Sequence, residues 1–422
     1  MSSIFESFLS TSEVQTAFGE QAFVAAMLRF EAALARAQAA AGLIPESAAV
    51  SIIGTCKVEL FDVAKIVRES PRSGSLAIPL VESLKETVGL FNPGAVVHVH
   101  RGCTSQDVID TAMALVTRDA LRLIEADVHH CVAALLALAR RHAAAPLLAH
   151  TLTQPASVTS FGYKCVVWAA PLVRSLQRLQ LAAPRALQLQ LGGTVGTLSS
   201  MNGKGAEVTD RMAQDLQLTR PVASWHTQRD EWVALGCEFA LLAGSLGKVA
   251  RDLVLMGQFE VGEVAEPAEP GRGGPANMPH KHNPVACMVA IAAAQRAPQR
   301  VAALLAAMPQ EHERALGAWQ AELAEWPLLV MATHGSVRAL AQVLPGLQVD
   351  TSRMRANLDA VRASLPKGAA DDWFDPGLAL HAGELALAQT ASLQQDLVRL
   401  GLPPPGSGAM ARPPLRDGAA IF

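Results

Sequence analysis

The sequence is short of charge. Asp, Glu, Lys and Arg make up 17% of its 422 residues, against about 25% in an ordinary soluble chain. The formal net charge is −3, and no lysine- or arginine-rich run occurs, which argues against a nucleic-acid partner. Also missing is an unbroken apolar run of about 20 residues, the length a membrane span needs. The stretch CVAALLALA at 131–139 is stopped by Arg140, Arg141 and His142. Cys56, Cys103, Cys131, Cys165, Cys237 and Cys287 form no CxxC pair, so neither a zinc site nor a disulfide framework is expected. The opening MSSIFESFLSTSEV lacks the basic start and apolar centre of a signal peptide, and a cytoplasmic protein is expected.

What is plentiful is apolar surface, at 50% of residues. Without a membrane to receive it, the natural sink is an interface between helical subunits, so an obligate homo-oligomer is expected. Residues 1–105 mix short helical patterns with punctuated stretches. From 106 the pattern changes: Ile109, Ala112, Met113, Val116, Ala120, Leu123 and Ile124 recur at helical spacing. A helix of about 35 residues there would be roughly 50 Å long. Comparable segments follow at about 160–190, 228–258, 284–308 and 312–343, with no strand period between them. The pattern predicts an all-α chain in three parts: 1–105, a central bundle of long helices over 106–345, and a smaller helical part over 346–400. The proline- and glycine-rich end, 401–422, is expected to be a disordered tail.

Apolar periodicity stops over 259–284, which closes with GRGGPANMPHKHNP. Asn283 and Pro284 read as an N-cap followed by proline at the first helical position. The N–H groups of such a helix start attract anions, and Lys281, two residues before the cap, adds a full charge. A mobile surface linker would have the same composition. Three further polar stretches open or join helices. Thr104 and Ser105 precede the long helix with Asp107 in capping-box register. His150, Thr151, Gln154 and Ser157 lie in a polar turn, and His226, Gln228 and Arg229 at another helix start. Each alone also reads as ordinary cap or turn chemistry.

MPHKHNP (278–284) resembles the MPxKxNP signature of the fumarase/aspartase superfamily, and GCTSQD (102–107) and HTLTQPASVTSFG (150–162) resemble its first two blocks. VHVHRGCTSQDVIDTAM, SWHTQRDEW and GSLGKVARDLVLM are similar to its bacterial 3-carboxy-cis,cis-muconate cycloisomerase branch. The resemblance implies a three-domain helical subunit with a shortened C-terminal domain. It also implies a homotetramer built on a twenty-helix core, with active sites shared among three chains. The implied reaction closes 3-carboxy-cis,cis-muconate to 4-carboxymuconolactone, a step in protocatechuate breakdown, through a carbanion held as an aci-carboxylate. No metal or organic cofactor is implied.

By the same resemblance, Lys281 and Asn283, approached through Met278, grip a substrate carboxylate. Thr104, Ser105, Thr151 and Gln154 match carboxylate-binding positions of the two blocks, and His100 matches the histidine before the first glycine. His226, Gln228 and Arg229 match a segment of the branch that would meet a second carboxylate. His150 stands where arginine is usual, and Leu152 stands where many C–N lyases carry histidine. The signature's two serines, the first its usual proton-transfer residue, are Pro275 and Ala276 here. That leaves the proton donor open among His226, His150, His280 and His282. A catalytically impaired paralogue that binds a polycarboxylate, or a lyase acting on a succinyl-type substrate, is the alternative implied by this departure.

Overall fold

A computed structural model describes residues 4–269, 273–274, 278, 280–366, 368 and 373–403. Pro275, Ala276 and most of the tail lie outside the described residues. Six helices come first: α1 (Ile4–Phe8), α2 (Ser12–Ala17), α3 (Glu20–Ala40), α4 (Glu46–Thr55), α5 (Val63–Ser73) and α6 (Ala77–Phe91). The long α7 (Ser105–Arg141) leads into a hairpin of β1 (Pro146–Thr151) and β2 (Gln154–Ser160), and α8 (Phe161–Ala186) returns. After α9 (Gly205–Leu216) come α10 (Asp230–Met256), β3 (Val264–Ala265), α11 (Val285–Ala306) and α12 (Ala318–Val343). The chain closes with β4 (Gln348–Val349), α13 (Thr351–Ser364) and α14 (Pro376–Arg399).

Among the described residues the architecture is helical apart from two small antiparallel pairs, β1 with β2 and β3 with β4. Helices α7, α8, α10, α11 and α12 make an up-and-down bundle. Its directions follow from contacts along α7. Trp319 at the start of α12 reaches Asp110, Trp326 reaches Thr117, and Arg338 reaches Asp127, so α12 runs parallel to α7. Stacked indoles of Trp232 and Trp326, centroids 4.0 Å apart, tie α10 to α12. The Trp326 N–H is satisfied by Thr117 Oγ1 at 2.8 Å, as a buried indole requires. Helices α10 and α11 approach so closely that a Cβ on Gly247 would stand 2.3 Å from that of Ala294. One continuous apolar core joins these helices to α3 and the N-terminal set, and Leu148, Leu358 and Phe374 form a small separate cluster beneath the hairpin.

Three sequence expectations need correction. Helix α3, with 21 residues, is longer than a patchwork of short segments suggests. Residues 146–160 form strands where a turn was expected. Asn283 is not the cap of α11: Pro284 holds that position and the helix starts at Val285. Helix α10 carries Glu238, Lys248, Arg251 and Asp252, so the absence of an unbroken apolar run stands. It is long and apolar enough by composition to cross a membrane, but 56% of its apolar window is buried inside the bundle, as in a core helix.

Candidate active site

Helix α7 begins at Ser105 because Thr104 is extended and its N–H donates to Asp107 Oδ2 at 2.9 Å. This leaves Thr104 and Ser105 half-buried at the positive end of a 37-residue helix. Asp107 is fully buried and holds four donors. Besides Thr104 it accepts the N–H groups of Gly192 and Gly193, each at 2.9 Å, and it faces His226 Nε2 at 2.7 Å. Gly192 has to be glycine, since a Cβ there would meet Ser224 Oγ at 2.6 Å.

His226 is not the exposed ligand expected from its sequence position. It is 3% exposed, and its Nδ1 lies 3.0 Å from Ser224 Oγ, so both ring nitrogens are engaged within the chain. Arg229 requires the same correction. Its Nη1 donates to Asp110 Oδ2 at 2.9 Å, and Nε and Nη2 go to Glu322. The guanidinium also lies 4.5 Å from the centroid of the Trp225 ring. Burial works against the Arg229 charge, but Asp110 and Glu322 prevail and push its pKa up. Neither residue offers a free group to a substrate. Between them, Gln228 is exposed.

Two groups at this end were not singled out from sequence. Arg314, in the loop after α11, donates to Gln106 Oε1 at 3.0 Å and to the Thr194 carbonyl at 2.9 Å. Glu31 of α3, 1% exposed, places Oε1 2.6 Å from Nδ1 of His100. Asp107 and Asp110 gave a signal that could have exposed the network. Two carboxylates three residues apart, inside the apolar face of a helix, require buried donors.

The remaining expected residues gather at the opposite end of the bundle. His150, Thr151 and Gln154 are exposed around the tip of the β1–β2 hairpin, where Thr151 pairs with Gln154. Leu152 and Thr153 form its two-residue turn with φ of 52° and 64°, the positive values such a turn needs. Lys281, His280, His282 and Met278 are exposed just before α11, and Asn283 is half-buried, its N–H donated to the Gly273 carbonyl at 2.9 Å. The first turn of α11 is already occupied. Glu266 accepts from the N–H groups of Ala286 (3.2 Å) and Cys287 (2.9 Å), so the expected anion site at that helix start is filled by the chain's own carboxylate. A cavity of about 180 Å³ beside it is bordered by Glu266, His282 and Asn283.

In a single chain the two groups are separated by α7, whose 37 residues span roughly 55 Å. No small polycarboxylate bridges that distance. One chain therefore carries the expected residues in two groups, with Thr104, Ser105 and His100 at one end and Lys281, Asn283, Thr151 and Gln154 at the other.

A sequence profile described as lyase matches residues 7–298. A 3-carboxy-cis,cis-muconate cycloisomerase of Bradyrhizobium diazoefficiens is 44% identical over 360 residues, 85% of this chain and 80% of that protein. One from Pseudomonas putida is 42% identical, covering 84% of each. The crystal structure of the 3-carboxy-cis,cis-muconate lactonizing enzyme from Pseudomonas putida superposes with a TM-score of 0.80 at 37% identity, covering 94% of this chain and 91% of that one.

Proposed function

This chain belongs to the lyase family of the fumarase/aspartase superfamily, and from that membership we propose that it lactonises 3-carboxy-cis,cis-muconate to 4-carboxymuconolactone. One substrate carboxylate attacks across the neighbouring double bond. The electrons move onto the carbon beside another carboxylate and are held there as an aci-carboxylate until a proton arrives. Nothing in the step requires a metal or an organic cofactor. Lys281, with Asn283, supplies the cationic grip on a substrate carboxylate, and Thr151 and Gln154 orient it from the hairpin tip. Thr104 and Ser105 add the positive end of α7. Holding the attacking oxygen against its carbon contributes the remainder of the rate.

The observation that carries this reading is the division of the matching residues between the two ends of one bundle. Copies of the chain packed antiparallel bring the two kinds of end together, and a homotetramer does so repeatedly. The bundle also has the surface for such packing. Val167, Leu241 and Leu305 are each about half exposed around an apolar groove of about 770 Å³ on α8, α10 and α11. The reading includes a place in protocatechuate breakdown, a cytoplasmic setting, and the division at 105 and 345 into N-terminal, central and C-terminal parts.

The test follows the loss of diene absorbance when purified protein meets 3-carboxy-cis,cis-muconate. Turnover well above the buffer rate is expected. A rate equal to buffer would favour an impaired paralogue that only binds the acid.

A further inference from the structure

The signature serine is replaced by Pro275, and His226 has no ring nitrogen to spare. The donor must therefore be another group, and beside the exposed His150, His280 and His282 the half-buried His100 is the histidine held by a buried carboxylate. We propose that His100 delivers the proton to carbon from Nε2, with Glu31 as the positioning residue that holds its Nδ1. This rests on the lactonisation reading above.

Four observations carry it. The Glu31 carboxylate lies 2.6 Å from His100 Nδ1, which fixes Nδ1 as a donor and directs Nε2 elsewhere. Nε2 has no hydrogen-bond partner among the described residues, and the ring is 17% exposed while Glu31 is buried at 1%. The backbone of His100 sits at φ 60°, a left-handed conformation uncommon for a residue other than glycine, which fixes the ring's exit from the chain. His100 also lies four residues before Thr104, in the half-site that receives the substrate from the α7 end.

The groups facing the ring are Glu31 from α3, Cys103 just before α7, Asp107 in the first turn of α7, and Lys85 from α6. Burial opposes the charged ring and Lys85 opposes it weakly, but Glu31 and Asp107 prevail and raise the pKa. Cys103, with Sγ 3.2 Å from Nδ1, is pushed well up by burial and stays a neutral thiol. Glu31 Oε2 is buried without a partner, so its negative charge is directed at the ring rather than shared with other donors.

The step balances as follows. A carboxylate oxygen forms the new C–O bond, the C=C π pair moves to the adjacent carbon, and the imidazolium Nε2–H proton is transferred to that carbon. Neutral His100 then regains one proton from water, and the product carries one negative charge fewer than the substrate. The protonated ring is the active form. Because its pKa is raised, activity persists at neutral pH and falls as pH rises through the raised value.

The experiment pairs kinetics with an NMR titration of the His100 ring in the full-length protein. Glu31→Gln keeps the shape of the side chain and removes its charge. The ring should titrate above 6.5 in the parent and lower in Glu31→Gln, and the alkaline limb of kcat/KM should move to lower pH with it. His100→Gln should lose about a hundredfold or more in kcat, with circular dichroism unchanged. A ring that titrates at or below the ordinary value in the parent overturns the dyad. So does a His100→Gln enzyme with parental rate and the same alkaline limb. If the parent itself does not turn over the muconate, the lactonisation reading fails, and the NMR titration still decides the Glu31–His100 pair.

Discussion

Arg229 and Lys281 are both cations beside recognisable motifs, yet the chain uses them in opposite ways. Arg229 is 2% exposed and paired with two carboxylates, whereas the Lys281 side chain is exposed. Asp110→Ala should therefore destabilise the fold by about 3 kcal/mol in a denaturant titration, because it removes one of the two carboxylates of the buried Arg229 guanidinium, leaving Glu322 alone, and takes away the acceptor of the Trp319 N–H. Lys281→Ala should leave that titration within about 0.5 kcal/mol while lowering turnover by about a hundredfold or more. Sequence spacing could not separate the two. WHTQRDEW and MPHKHNP both look like polar helix entrances, and only the position of Asp110 and Glu322 on neighbouring helices shows which cation is already occupied. His226 misled for a related reason: its partners are residues of the motifs themselves, Ser224 of SWHTQRDEW and Asp107 of GCTSQD, and only the packing of α7 against the 224–229 segment shows that they meet.

The five long helices were legible because their period is simple and their apolar faces are wide. Their ends were less so. The hairpin at 146–160 carries too few alternating residues to announce strands, and Leu152 and Thr153 take positive φ without a glycine to signal it. At α11 the sequence suggested a helix start open to anions, but Glu266, eighteen residues upstream of Pro284, already occupies it. Contacts at that separation leave no periodic trace. Glu266→Ala should free two backbone N–H groups and cost about 1 kcal/mol in thermal or chemical unfolding. An unchanged midpoint would show that the carboxylate does not cap the helix.

At the scale of the molecule, composition is the basis of the proposed assembly. A chain with half its residues apolar and few charges is expected to cover helix surface between subunits, and half-exposed Val167, Leu241 and Leu305 are where such a contact is proposed. The central claim is that half-sites from opposite ends of different copies complete one another. Mixing subunits tests it most directly. Ser105→Ala damages one half-site and Lys281→Ala the other, so each homo-oligomer should be nearly inactive. When the two are unfolded together, refolded and confirmed by mass to have formed mixed oligomers, some sites will combine an intact α7 end with an intact Lys281 end. The account predicts that activity on 3-carboxy-cis,cis-muconate returns in the mixture to a measurable fraction of the parent rate. Mixed oligomers no more active than either variant alone would contradict it.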